Sequence, residues 1–146
     1  MTYAMDMMDF KYKTEIDHLL SLGFTLPDLS EPKDKTAYRF IFKDIPEKNH
    51  IPPYIQKPRR ALSYKATISG YALSCFEDED KAKKKFQLLA SNFHNIKKTI
   101  GDSISVGTIT RADGMISPAN INTTHFDLYE FRECNLSNTF VYKEEL

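Results

Sequence analysis

Between Gly70 and Gly101 the chain reads Gly70-Tyr-Ala-Leu-Ser-Cys-Phe, then the acidic cluster Glu77-Asp78-Glu79-Asp80, then a long amphipathic run. Ala82, Phe86, Leu89, Phe93, Ile96 and Ile100 recur at alternating spacings of four and three, which places them on one stripe of a helix. Lys81, Lys83, Lys84, Lys85, Gln87, Asn92, Asn95 and Lys97 cover the other faces. Acidic residues sit where the helix dipole favours negative charge, and Lys97 and Lys98 sit where it favours positive charge. Gly101 is suited to close the helix in a left-handed conformation. The stretch therefore predicts a short strand over 71–76 leading into one helix over about 79–100. The stripe is too brief for a coiled coil and reads as the face of a monomeric core.

Around this unit the remaining patterns favour strands. A first helix is expected over about 5–22, with Phe10, Ile16, Leu19 and Leu20 as its apolar stripe and Gly23 as its stop. Phe24 to Lys35 holds Pro27 and Pro32 and reads as a linker. Ala37 to Lys43 reads as a strand with Tyr38, Phe40 and Phe42 on one face and Arg39, Ile41 and Lys43 on the other. Asp44 to Lys65 contains Pro46, Pro52, Pro53 and Pro58, which block helix and ladder pairing, so a long loop is expected. Its Tyr54, Gln56, Lys57, Arg59 and Arg60 could close over an anion. Strands are expected over 103–110, 125–131 and 138–143, with Ala112-Asp113-Gly114 as a turn and 118–123 as a polar loop. A single helix followed by runs of strands favours an α+β domain with a mixed or mainly antiparallel sheet. All 146 residues fit one domain: an N-terminal helix and linker over 1–32 and an α+β body over 36–146.

Composition removes several function classes. Twenty basic and twenty acidic residues cancel, so no overall positive field would steer a nucleic acid, and the lysines of the long helix read as a solvated face. Contact through Lys81–Lys85, Lys97–Lys98 and Arg59-Arg60 is the nucleic-acid alternative. No apolar run approaches the roughly 20 residues of a membrane span. The first residues lack the basic start and apolar centre of a secretory signal, so a cytoplasmic location is expected. Cys75 and Cys134 are too few for a disulfide framework and read as buried thiols, although Cys75 precedes a helix start where a thiolate would be favoured. His18, His50, His94 and His125 have no ligand spacing, and no metal is expected. The five glycines are scattered and form no phosphate loop. A two-carboxylate glycosidase site is open, but no pair stands out.

One strand gathers ionisable groups. Alternation over 125–130 places His125, Asp127 and Tyr129 on one face, where an imidazole, a carboxylate and a phenol could line a cleft. It places Phe126, Leu128 and Glu130 on the other. The competing reading is an exposed outer face, with Glu130 turned inward and needing a partner such as Arg39.

Tyr38-Arg39 on an early strand, and Tyr71-Ala-Leu-Ser74 followed after a gap by Ala82, resemble the pattern of RES-type toxins of the ADP-ribosyltransferase-like fold. The resemblance implies a cleft for NAD, with the protein breaking NAD or transferring its ADP-ribose. It places Arg39 on a phosphate, Ser74 against the nicotinamide ribose and Tyr71 beside them. It covers two short segments between Tyr38 and Phe86. The family's Gly-Gly-Arg segment is absent, with Pro58-Arg59-Arg60 in its place, and Lys83 to Lys85 stand where a glutamate is expected. Glu130 from a C-terminal strand, or His125, would then take the catalytic role: a carboxylate stabilises an oxocarbenium-like ribose while an arginine neutralises pyrophosphate. The expected function is thus an ADP-ribosyltransferase-like protein acting on NAD, a toxin or defence effector. The alternative is a non-enzymatic binding module, such as an immunity protein, antitoxin or adaptor, that meets a protein partner through its tyrosines and phenylalanines.

Overall fold

A computed structural model describes residues 8–146. Its elements run α1 (Lys13–Ser21), β1 (Lys35–Ile41), α2 (Pro53–Gln56), β2 (Leu73–Phe76), α3 (Glu79–Asn92), α4 (Ile96–Thr99), β3 (Ser103–Ile109), β4 (Gly114–Ile116), β5 (His125–Glu130), α5 (Leu136–Thr139) and β6 (Val141–Glu145). The strands form one sheet in the order β4-β5-β2-β1-β3-β6, with each neighbouring pair antiparallel. The architecture is α+β, as the pattern of elements predicts, and the sheet is antiparallel rather than mixed.

Side chains from helices and loops pack on both faces of the sheet, while its edge strand β6 stays exposed. One face carries Phe76 and Ile104, which pack with Ala82 of α3 and with Tyr38 and Phe40. The Phe40 ring meets Phe86 edge-on at 5.4 Å. Along the same face Met115 and Tyr129 pack with Ile16 and Leu19 of α1, together with Phe10, Ile68 and Tyr71. The N-terminal helix is therefore part of the core and not a detached arm. The opposite face buries Ala37, Leu73, Cys75, Ile109, Phe126 and Leu128 under Leu136 and Phe140.

Three expected elements differ. The first helix begins at Lys13, not near residue 5; residues 5–7 lie outside the described residues. Phe10 instead forms an antiparallel bridge to Phe131, because its ring is wanted in the core beside Tyr129 and Phe131. The long helix is two. Asp78 caps α3 by accepting the Lys81 amide at 2.9 Å, but α3 ends at Asn92 and Phe93 is extended. An unbroken helix over 79–100 would run roughly 33 Å. The strands beneath it are at most seven residues, roughly 23 Å. The break at Asn92-Phe-His-Asn95 uses poor helix formers and folds Ile96 back into the core. Phe93 pays with 56% exposure and Ile100 with 38%, so neither belongs to a buried stripe. The expected loop over 44–65 contains three short helical turns, Pro46–Lys48, Pro53–Gln56 and Pro58–Leu62. Each starts with proline, whose missing N–H is harmless at a first helical position.

Smaller corrections follow the same logic. Tyr71 belongs to a 3-10 turn, Ile68–Tyr71, rather than to β2. Residues 136–139 form α5, so the last strand starts at Val141. The short strand β4 follows the 112–114 turn directly. Gly101 has φ +150°, and a Cβ there would stand 2.7 Å from the Ile41 carbonyl oxygen. That position needs glycine for close approach as well as for conformation.

Candidate functional site

Ser74 is the exposed residue of an otherwise buried strand, between Leu73 and Cys75. The register of β2 with β5 sets Ser74 opposite Asp127 and Phe76 opposite His125. That register brings the Ser74 hydroxyl to 3.1 Å from His125 Nε2. Asp127 Oδ1 lies 3.6 Å from the same nitrogen. Serine, histidine and aspartate therefore share one face, but both oxygens approach one edge of the ring, unlike a relay in which the carboxylate holds Nδ1. Burial pushes the Asp127 carboxyl above its ordinary value, and His125 opposes that shift.

The β1–β2 ladder ends at the pair Tyr38–Phe76, and Arg39 bridges the two strands beyond it. Its Nη1 donates to the Ser74 carbonyl oxygen, and its Nε donates to His50 Nδ1 at 3.1 Å. The His50 imidazole accepts that bond, so it is neutral at this nitrogen. Burial first, then the charges of Arg39 and Lys11, drive its pKa down from 6.5 to about 3. Arg39 is 8% exposed.

Above the gap lies a cavity of about 800 Å³. Phe40, Phe42 and Leu73 contribute from the sheet, Leu89, Phe93 and Ile96 from α3 and its continuation, and Ile51 and Pro53 from the proline-rich segment. Its charged lining is Arg39, Lys48, Lys57, Arg60 and Lys98, with no aspartate or glutamate among the described lining residues. Ser74 lines it as well. Net neutrality of the whole chain conceals this local excess of positive charge.

The structure thus pairs the side chains of Ser74 and His125, while Arg39, on the other face of β1, meets Ser74 only through its backbone carbonyl. Tyr71 and Glu130 lie elsewhere. Tyr71 is buried with its ring edge-on to Tyr54 at 5.3 Å, and burial raises its pKa. Glu130 points to the face of β5 opposite His125 and Asp127, three residues or roughly 10 Å beyond Asp127. It is 4% exposed and accepts from Lys11 Nζ at 2.7 Å. Its partner is therefore Lys11, with Arg39 acting only as a more distant charge. Burial still raises the Glu130 carboxyl, and its second oxygen has no hydrogen-bond partner among the described residues. Cys75 is fully buried with its thiol pushed up to about 11, and Cys134 is pushed up to about 12, so neither is a ready nucleophile. Among the described residues no cluster of three metal-ligating side chains occurs, and no helix is long and apolar enough to cross a membrane.

Lys48 carried no signal in the sequence, and Lys98 stood out only as a nucleic-acid contact, because separate segments are brought together only by the fold. Lys57 and Arg60 carried a signal, a basic pair inside a proline-rich segment. Compared with family models, curated proteins and solved structures, the chain matches none.

Proposed function

We propose that the protein binds an NAD-class dinucleotide in the cavity over the β1–β2 gap and acts on it as an ADP-ribosyltransferase-like enzyme. The observation that carries this reading is the cavity's charge: five cationic side chains and no carboxylate in a space of about 800 Å³. A pyrophosphate supplies the complementary charge, and Phe40, Phe42 and Phe93 offer surfaces for ring systems. The volume lies within the usual range of small-molecule sites, roughly 300–1,000 Å³. Lys48, Lys57, Arg60 and Lys98 are the phosphate contacts in this reading, since two donors of Arg39 already face Ser74 and His50. The carboxylate that serves this site is Asp127 rather than Glu130: it shares the Ser74 face and acts through His125, since it does not itself line the cavity. Such an activity suits a toxin or defence effector. Calorimetric titration with NAD, paired with a nicotinamide-release assay, tests the proposal; no binding at low salt sinks it.

A second reading is favoured by one observation. The edge strand β6 is exposed along its length, with Val141 58% and Tyr142 44% accessible. A protein partner could add a strand there. Val141→Lys would abolish such a complex and leave NAD binding unchanged.

A further inference from the structure

We propose that Ser74 is itself an acceptor of the ADP-ribosyl group, so that the protein modifies its own sheet at the cavity wall. This rests on the NAD reading above. Ser74 is solvent-accessible in a strand whose neighbours Leu73, Cys75 and Phe76 are buried, and it lines the cavity. Its Oγ stands at hydrogen-bonding distance, 3.1 Å, from His125 Nε2, the geometry of a hydroxyl paired with its base. Its backbone is held by the Arg39 guanidinium, and that guanidinium is braced in turn by His50. Asp127 Oδ1, 3.6 Å from the same histidine nitrogen, faces the place where the transferred proton arrives. No lining carboxylate is available to activate a water within the cavity, whereas a paired hydroxyl is already at its wall.

The step balances without an external reagent. Ser74 Oγ attacks C1′ of the nicotinamide ribose, forming an O–C1′ bond as the C1′–N bond breaks. The electron pair of the broken bond stays on the pyridinium nitrogen, and neutral nicotinamide leaves. The serine proton goes to His125 Nε2, beside the Asp127 carboxylate. The product is an O-glycoside on Ser74, which blocks the cavity and limits each chain to one turnover.

The test incubates the full chain with NAD and follows intact mass, the modified peptide and free nicotinamide in parallel. The expected result is one ADP-ribose per chain at Ser74, with nicotinamide released in equal amount. Ser74→Ala should lose the adduct, Ser74→Thr, which keeps a hydroxyl, should retain it, and His125→Gln should slow adduct formation by at least tenfold. Nicotinamide released in many-fold excess with no adduct would overturn self-modification and leave the NAD reading standing. An adduct on another residue, or NAD bound without nicotinamide release, would also overturn it. Failure to bind NAD at all removes both ideas.

Discussion

Lys11 and Arg60 show two ways in which this chain places a cation against its interior. Lys11 reaches the buried Glu130 at 2.7 Å, and its backbone amide also bonds the Glu130 carbonyl oxygen, so the charge is neutralised within the fold. Arg60 stands with Lys48, Lys57 and Lys98 around a cavity whose described lining contains no acid. The first arrangement pairs its charge within the fold, with one Glu130 oxygen held by Lys11 and the other buried without a hydrogen-bond partner among the described residues. The second is electrostatically unfinished, which is the condition of a site built to receive an anion. An ionisable residue in a strand, such as Glu130, is thus a better sign of structure than of chemistry once its partner is counted.

The largest expected effect comes from breaking the completed pair. Lys11→Met should destabilise the protein by about 3 kcal/mol at neutral pH, because a buried carboxylate is left without its cation. The loss should depend on pH. Burial already raises the Glu130 carboxyl in the folded state despite Lys11. A raised carboxyl contributes stability that is present below its ordinary value and lost as pH rises through the folded value. Removing Lys11 raises it further, so the variant's deficit should grow from acid to neutral pH. Urea midpoints at several pH values measure this; a deficit that is flat with pH would show that Lys11 does not compensate the Glu130 charge.

Arg39 lies between the two cases, since its described Nε partner is a neutral imidazole. With its pKa driven to about 3, His50 contributes stability that is present above 6.5 and lost as pH falls towards 3. Between pH 7 and pH 5 the linked loss is about 2 kcal/mol. His50 has φ +61°, a conformation that asparagine tolerates well. His50→Asn should therefore flatten the acid limb of the stability curve without altering the backbone. An unchanged acid limb would place the sensitivity elsewhere, with Glu130 excluded by its opposite sign.

The contrast between the sites was only half legible in the sequence. Alternation turned Glu130 inward correctly, but its partner lies 119 residues away, and no local rule distinguishes Lys11 from Arg39. The acidic start of the helix, Ala82 and Phe86 could be read directly, because helix rules act within a turn or two. The break at Phe93 could not, because it answers to the length of the strands beneath the helix. Proline spacing announced a non-strand segment over 44–65 but concealed that three of its four prolines open helical turns. Ser74 and His125 were both noticed on strands. Their pairing needed the β2–β5 register, which is fixed by burial on both faces.

For the unfinished site, the direction of effects reverses. Lys57→Glu with Arg60→Glu should weaken NAD binding by at least tenfold, which corresponds to about 1.4 kcal/mol. Stability should change by less than about 0.5 kcal/mol, since both residues are exposed and neither takes part in the salt bridges described above. Titration calorimetry and urea melts separate the two readouts. Destabilisation without a loss of affinity would make the cationic ring structural after all.

The smallest effect should come from the surface network, where Glu79 contacts Lys83 at 2.8 Å and Lys143 at 2.6 Å, and Lys83 also bonds Glu144. These contacts are as short as the Lys11–Glu130 pair, and they join α3 to β6. By distance alone Lys83→Ala should cost as much as Lys11→Met. The Glu79 and Lys83 side chains keep contact with water, however, so each charge lost from the network is resolvated and screened. The expected outcome is a shift in melting temperature well below that of Lys11→Met, vanishing in ~1 M salt, where the Debye length falls to ~3 Å. A shift that matched Lys11→Met and survived salt would mean that β6 docks through these charges. Burial would then not be what separates a structural ion pair from a decorative one in this protein.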